Sequence, residues 1–434
     1  MQFCSTKTPE TKISFREAVL RCLPDDGGLY VPSAAPDMRG YFLHMDEKTT
    51  YPELVAALAP GILQGELNPM SASRVAQSAY NFEPELIRLD DEFSLLTLYN
   101  GPSGVFKDFG VAFFGAVIEE LLKNEGQAMI VSAARGDTGA SIAGAFSSRK
   151  SITNVLIYPS GPIYGLDENE FAPNGNTIPV QIRGSFDECQ KLIRELINDR
   201  PFAERYNVTS ANTINPCRVL PQAFYYLFAF INIKKYLRGR DLLFSIPSGN
   251  FGNFISGLYA WKFGMPVNGF IAAMNRNDAF GEFIRNGSFN PHPPVNTNSP
   301  ALDISQPANY ERLRAFYGEA PSVMRNMVFP AAISDDETLQ TMEFVWKKYK
   351  TLLDPHSAVA FAAARKRVKA EHCEAHCVIL ATGHPAKKAE AVRMSTGQTI
   401  ELPEKLLTLK KRVNPIALIN PHLAALESAI ASCV

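Results

Sequence analysis

The chain has 434 residues, too many for one small domain; its 46% apolar and 20% charged residues are ordinary for a globular protein burying a sizeable core. A net charge of −1 supplies no field to recruit nucleic acid or an anionic membrane, and no apolar run approaches the ~20 residues that span a bilayer. Seven scattered cysteines do not read as a disulfide framework, and residues 1–12 are too polar for a signal peptide, so a reducing cytoplasm is the expected home.

No internal repeat or low-complexity tract interrupts the chain. The first 80 or so residues carry two helical patterns, 14–23 and 51–58, around a Gly/Pro-rich stretch at 25–36, and read as a small leading domain. From Phe93 onward, short apolar strands alternate with helices, the signature of an α/β layered region. Strands are predicted at 128–133, 154–158, 178–182, 242–246, 269–273 and 377–381. Most are apolar at consecutive positions, as strands covered on both faces should be. Helices are predicted at 106–124, 139–148, 186–197, 216–236, 252–263, 335–349 and 356–370. The Pro- and Asn-rich segment 286–309 is predicted to be a long loop, of the kind that often carries function.

Three glycine-containing turns stand at strand ends or helix starts. The first, Gly101-Pro-Ser-Gly-Val-Phe-Lys107-Asp-Phe-Gly110, sets a lysine between Phe106 and Phe109 at the head of an apolar helix. A desolvated ammonium has a lowered pKa and becomes a usable nucleophile; the competing reading is a lysine snorkelling from a helix start. The second, Ala134-Arg-Gly-Asp-Thr-Gly139, turns backbone amides toward an anion, or is simply a helix cap made by Asp137 or Thr138. The third, Pro247-Ser-Gly-Asn-Phe-Gly-Asn253, joins strand, glycine turn and helix into a phosphate cradle. It has neither the lysine of a Walker loop nor the spacing of a dinucleotide fingerprint, so its ligand is not a nucleotide.

In combination and order, these turns and Thr382-Gly-His-Pro-Ala-Lys387 resemble the bacterial and fungal branch of the threonine synthase family. The resemblance extends through Asn212-Thr-Ile-Asn215-x-x-Arg218, Asn275-x-Asn277-Asp278, Asp303-Ile-Ser-Gln-Pro307 and Asp354-Pro-His356, and back to Phe15-Arg-Glu-Ala-Val and Gly28-Leu-Tyr-Val-Pro32. It implies an α/β fold of the tryptophan synthase β-subunit type (fold type II): two α/β domains plus a small N-terminal domain. The implied divisions are residues 1–90 for the leading domain and 91–434 for the catalytic region. Within the latter fall a smaller mobile subdomain at about 100–210, a larger one at about 211–400, and a C-terminal tail.

The implied cofactor is pyridoxal 5'-phosphate, and the implied partner a small amino-acid substrate, in a monomer or homodimer. Lys107 would carry the coenzyme on its amine and act as acid and base at the substrate carbons. Ser248, Gly249, Asn250, Phe251, Gly252 and Asn253 would grip its phosphate. Thr382 would offer a hydroxyl to the pyridine nitrogen, and Asp137 and Thr138 would lie near the ring and the substrate carboxylate. The family reaction converts O-phosphohomoserine and water to threonine and phosphate.

Several departures from the family pattern cluster at the substrate side. Asn100 stands for the usual His, Ser103 for Thr, Gly104-Val105 for Leu-Ala, and Arg135 for Ser. Where members read Gly-Lys-x-Ser-x-x-Gln, positions associated with the substrate phosphate, this chain reads Gly161-Pro162-Ile-Tyr164-Gly-Leu-Asp167. Loss of a charge-assisted partner costs about 1.5–3 kcal/mol toward a leaving group that is nearly dianionic. The expectation is retained elimination or replacement chemistry at Cβ or Cγ with an altered substrate or leaving group, contacted by Ser103, Arg135, Thr138, Tyr164 and Asp167. Arg135 either supplies a replacement cation, or faces solvent or pairs with a neighbouring acid. The competing readings are a housekeeping threonine synthase and a catalytically dead binding paralog.

No metal site is expected. His372-Cys373-x-x-His376-Cys377 has short ligand spacing but no second cluster, and reads as ordinary packing. The aromatic run 224–230 reads as core, the basic 405–412 as a solvated face, and His384 as nearer the cofactor than His356.

Overall fold

The computed structural model describes residues 1–434 except 64, 124–125, 135, 161–175, 372–373, 408–414 and 434, and leaves aside the side chains at 319 and 371. β1 (Phe3–Ser5), β2 (Lys12–Ile13) and β3 (Tyr30–Pro32) form a small antiparallel sheet in the order β2-β1-β3. β4 (Glu85–Arg88) and β5 (Phe93–Thr97) open a larger sheet. The chain then leaves to build most of a second one from β6 (Ala128–Ala133), β7 (Ile152–Pro159), β8 (Thr177–Ile182) and β9 (Val208–Thr209). It returns with β10 (Asp241–Pro247), β11 (Gly269–Met274), β12 (Val328–Ala332) and β13 (Ala375–Ala381), and closes with β14 (Ala417–Ile419).

The larger sheet runs β12-β11-β10-β13-β5-β4 and is parallel except for β4; the second runs β14-β8-β7-β6-β9 and is parallel throughout. The consecutive apolar residues explain this arrangement. β6, β11 and β13 are buried at every position because helices cover both faces. On one face of the larger sheet, the helices Lys107–Leu121, Ala223–Leu237 and Gly252–Lys262 share a continuous core with the leading helices Tyr51–Ile62 and Pro69–Ala79. Asp335–Tyr349 and Pro355–Glu371 cover the other face. Capping boxes set the start of several helices: Ser334 with Glu337, Ser185 with Glu188, and Thr50 with Glu53.

All six predicted strands are present, most of them one or two residues longer than expected. The helix predicted over 216–236 is instead broken into Pro216–Val219, a 3-10 turn Leu220–Gln222, and Ala223–Leu237. Pro221 is the reason, since it brings no N–H to a helical ladder and its ring crowds the preceding turn. Among the described residues no helix is long and apolar enough to cross a membrane.

Candidate active site

Sheet order alone brings the glycine-bearing segments together. β10, β13 and β5 are adjacent and parallel, and their register sets Ser245 opposite Ile379 and Ala381 opposite Thr97. The loops leaving their carboxyl ends therefore share one edge, the usual place for a ligand in an open α/β sheet. From β5 the chain reaches Lys107, the first residue of its helix; from β13 it reaches Thr382; from β10 it enters the Ser248–Asn253 turn. Phe106 N–H donates to the Thr382 carbonyl at 3.0 Å, and Val105 bridges to Gly383, so the first two segments are stitched directly.

Lys107 is half-buried, with Phe109 fully buried behind it. The loop before it is fixed by Asp108, whose carboxylate accepts the Ser103 N–H at 2.8 Å, the Ser103 hydroxyl at 2.5 Å and the Ser141 hydroxyl at 2.7 Å. Burial pushes that carboxyl above its usual value. Gly101 is required here, because a Cβ would lie 2.4 Å from Asp108 Oδ2. Ser103, expected at the substrate, is 1% exposed and commits its hydroxyl to this clip.

The Ser248–Asn253 turn has the features of an anion site. Phe251 adopts φ 56°, turning the backbone as the helix Gly252–Lys262 begins. None of the N–H groups of Gly249, Asn250, Phe251, Gly252, Asn253 and Phe254 hydrogen-bonds a described residue. A Cβ on Gly249 would meet Ala301 O at 2.7 Å and Leu302 Cα at 2.9 Å, so only glycine lets the chain pass. The Asn253 amide nitrogen is buried without a partner among the described residues, while its oxygen accepts from the Tyr225 and Tyr226 hydroxyls at 2.6 and 2.7 Å. The aromatic run read as core is core, and its two phenols also orient this amide.

Thr382 is 7% exposed, and its hydroxyl makes no hydrogen bond to a described residue. Its N–H donates to Ser357 Oγ at 3.2 Å, and Ser357 in turn donates to Asp354. Asp354 also bonds His356 Nδ1, whose Nε2 accepts the Ala301 N–H at 3.2 Å. One carboxylate thus braces Thr382 and the segment packed on Gly249. Burial opposes its ionisation, but the His356 ring and the Ser357 donors outweigh this and hold it below its ordinary value. His356 is therefore built into the site's support. His384 lies edge-on to Tyr99 with ring centroids 5.3 Å apart, and burial pushes it below its usual value. His376 uses both ring nitrogens, on Ser94 at 2.8 Å and the Asp91 carbonyl at 3.0 Å.

The second sheet contributes a facing wall. Asp137 and Thr138, half-buried, open the helix Asp137–Phe146 beyond β6, where Gly136 takes φ 46°. Asp137 pairs with Lys387, whose ammonium also donates to the Ser103 carbonyl at 3.0 Å. Lys387 therefore ties the two walls, a role sequence reasoning did not assign. Arg135, Tyr164, Asp167, His372 and Cys373 lie outside the described residues.

Arg218 was also missed. It is 2% exposed; its Nε donates to the Ala211 carbonyl at 2.6 Å, and its Nη1 has no partner among the described residues. A Cβ on Gly110 would lie 2.2 Å from that nitrogen, which sets the guanidinium against the first turn of the Lys107 helix. Burial pulls its pKa down to about 10, which leaves it a cation at neutral pH. A charged residue amid Cys217, Val219 and Leu220 was the available signal.

A half-buried lysine amine, a nest of unbonded N–H groups and an unengaged threonine hydroxyl, on three adjacent strand ends, fit a phosphorylated aldehyde coenzyme. The family described as "Pyridoxal-phosphate dependent enzyme" matches residues 90–383, and the chain is a pyridoxal-phosphate enzyme of fold type II, a carbon–oxygen lyase. "Threonine synthase N terminus" matches residues 2–80 and "Threonine synthase, C-terminal" residues 357–430. Threonine synthase from Serratia marcescens is 34% identical over 412 residues, covering 94% of this chain and 93% of the relative. The Escherichia coli threonine synthase crystal structure superposes with a TM-score of 0.88 at 30% identity over 100% of both chains. PLP-bound threonine synthase from Brucella melitensis gives 0.87 at 28% identity, covering 100% of this chain and 99% of that one. The chain belongs to the threonine synthase family.

Proposed function

We propose that the chain is a threonine synthase, converting O-phospho-L-homoserine and water to L-threonine and phosphate. The observation that carries this reading is likeness to threonine synthases along the whole chain, leading and C-terminal segments included. Lys107, the Ser248–Asn253 turn and Thr382 would hold the coenzyme, which when bound supplies an electron sink for charge developing at the substrate carbons. Lys107 Nζ moves protons to and from Cα and Cβ. The unbonded N–H groups of the turn and the Asn253 amide would take the coenzyme phosphate, and the Thr382 hydroxyl would serve the pyridine nitrogen. Asp137, steadied by Lys387, and Thr138 would stand beside the coenzyme and the substrate carboxylate.

The lysine absent at Pro162 leaves the substrate phosphate in need of a cation. Arg218 supports this role: it is buried, charged, open at Nη1 and one helical turn from Lys107. Arg135, Tyr164 and Asp167 complete the substrate wall in this reading. The altered substrate or leaving group argued from 161–167 and from Asn100, Ser103, Gly104-Val105 and Arg135 rests on sequence departures alone, and full-length likeness outweighs it.

The test is incubation of coenzyme-loaded protein with O-phosphohomoserine. Equimolar phosphate and threonine at enzymatic rates are expected. No product, with turnover of a different γ-activated amino acid, would overturn the reading.

A further inference from the structure

The coenzyme turn contains no cation: Pro247, Ser248, Gly249, Asn250, Phe251, Gly252 and Asn253 are all neutral. A full positive charge nevertheless lies directly behind it. Arg312 is 0% exposed. Its guanidinium donates to the carbonyls of Tyr30 at 3.2 Å and Ile214 at 2.6 Å, to the Thr213 carbonyl, and to Asn309 Oδ1 at 2.5 Å. Every one of these acceptors is neutral. No carboxylate among the described residues forms an ion pair with it, and the adjacent Glu311 accepts instead from Thr6 at 2.6 Å. A buried charge without a counter-ion is costly unless something else neutralises it.

The hydrogen bonds run from this charge to the turn. Asn309, held by Arg312, donates to the Asn250 carbonyl at 3.0 Å and to Thr213 Oγ1 at 2.9 Å. Thr213 Oγ1 accepts from the Asn250 amide at 3.2 Å, and the Asn250 oxygen accepts the Ala308 N–H at 2.5 Å. The Asn309 amide nitrogen also lies 3.6 Å from where a Gly252 Cβ would be, at the first residue of the helix. One amide therefore separates the guanidinium from the backbone that presents the unbonded N–H groups. In a low-dielectric interior, donors polarised along such a chain bind an anion more strongly.

We propose that Arg312 is the counter-charge for the coenzyme's phosphate, a positioning residue acting through Asn309 on the Asn250–Gly252 backbone. This rests on the assignment of that turn to the coenzyme phosphate, and is independent of which amino acid the enzyme converts. Arg218 and Arg312 then divide the work, one buried cation for each phosphate the active site must hold.

The experiment compares the affinity of apo-protein for pyridoxal 5'-phosphate and for pyridoxal, by absorbance titration without substrate, in the wild type and in R312M, R312K and N309A. R312M should lower the phosphate-to-pyridoxal affinity ratio by about ten- to a hundredfold, the size expected for losing one charged partner of an anion. R312K should restore much of the ratio, and N309A should lower it while Arg312 stays in place. A ratio unchanged in folded R312M overturns the proposal. So does an unchanged ratio in N309A, the decisive variant if loss of the Tyr30 and Ile214 contacts keeps R312M from folding. G249A, whose added carbon presses on Ala301 and Leu302, is the control for the turn. If it keeps the wild-type ratio, the turn assignment falls and the Arg312 proposal falls with it. Absence of threonine formation would touch neither.

Discussion

The two walls of the active site differ in how they are built. The wall on the larger sheet comes from three neighbouring strands and is over-determined: Asp108, Asp354 and the Tyr225–Tyr226 pair each fix one of its segments through several hydrogen bonds. The wall on the second sheet presents Asp137 and Thr138 at the head of one helix and reaches the first wall through the Lys387–Asp137 pair. Coenzyme chemistry needs one geometry whatever the substrate, which accounts for the number of supports on the first wall.

The largest effect that could test this division is at Lys107. Lys107→Ala should lower turnover by about a thousandfold or more and abolish borohydride fixation of the coenzyme to the chain, read by peptide mapping. Arg218→Met should next separate the walls. It should lower kcat/KM for O-phosphohomoserine by roughly ten- to a hundredfold while coenzyme affinity stays within about twofold. A parallel loss of both would assign Arg218 to the coenzyme wall. Lys387→Met should destabilise the fold by about 2 kcal/mol in denaturant titration, since it removes the cation that joins Asp137 to the Ser103 carbonyl. Adding Asp137→Leu should recover part of that loss.

The smallest effect is in the pH dependence of stability. Asp354 is held below its ordinary value in the fold, so its contribution is complete above the unfolded carboxylate range and is lost as pH falls through the depressed value. Asp108 has the opposite sign. Its raised value means that ionisation burdens the fold as pH rises above the unfolded range, and acid relieves the burden. Melting curves of Asp354→Asn should therefore lose part of the wild type's acid sensitivity, whereas those of Asp108→Asn should show a steeper loss of stability on acidification.

What could be read from sequence follows from which interactions are local. β6 was predicted to the residue because Ala128–Ala133 is apolar at every position but Ser132 and flanked by turns. β12 was not, because Pro330 interrupts it; the strand tolerates proline because it sits at the sheet edge. β4 is half-exposed and β14 only three residues long, so neither has a pattern to read. At the site, Lys107, the Ser248–Asn253 turn and Thr382 stood out because glycine and strand ends mark them locally. Arg218, Lys387 and Asp354 entered only as motif positions with no role attached, and Arg312 not at all, because in sequence a brace or a buried cation is hard to tell from a surface charge. Only the tertiary fold deprives Arg218 and Arg312 of solvent and, among the described residues, of ion-paired acidic partners.

β14 pairs with β8 at the edge of the second sheet, with Ala417 opposite Val180 and Ile419 opposite Ile182, although it is translated long after every other strand of that sheet. The second sheet is thus finished late in synthesis, after every strand of the larger sheet is complete. A nascent chain stalled short of β14 could assemble the binding elements for its cofactor while leaving an open hydrogen-bonding rim beside β8, a natural landing place for a chaperone or for a neighbouring nascent strand.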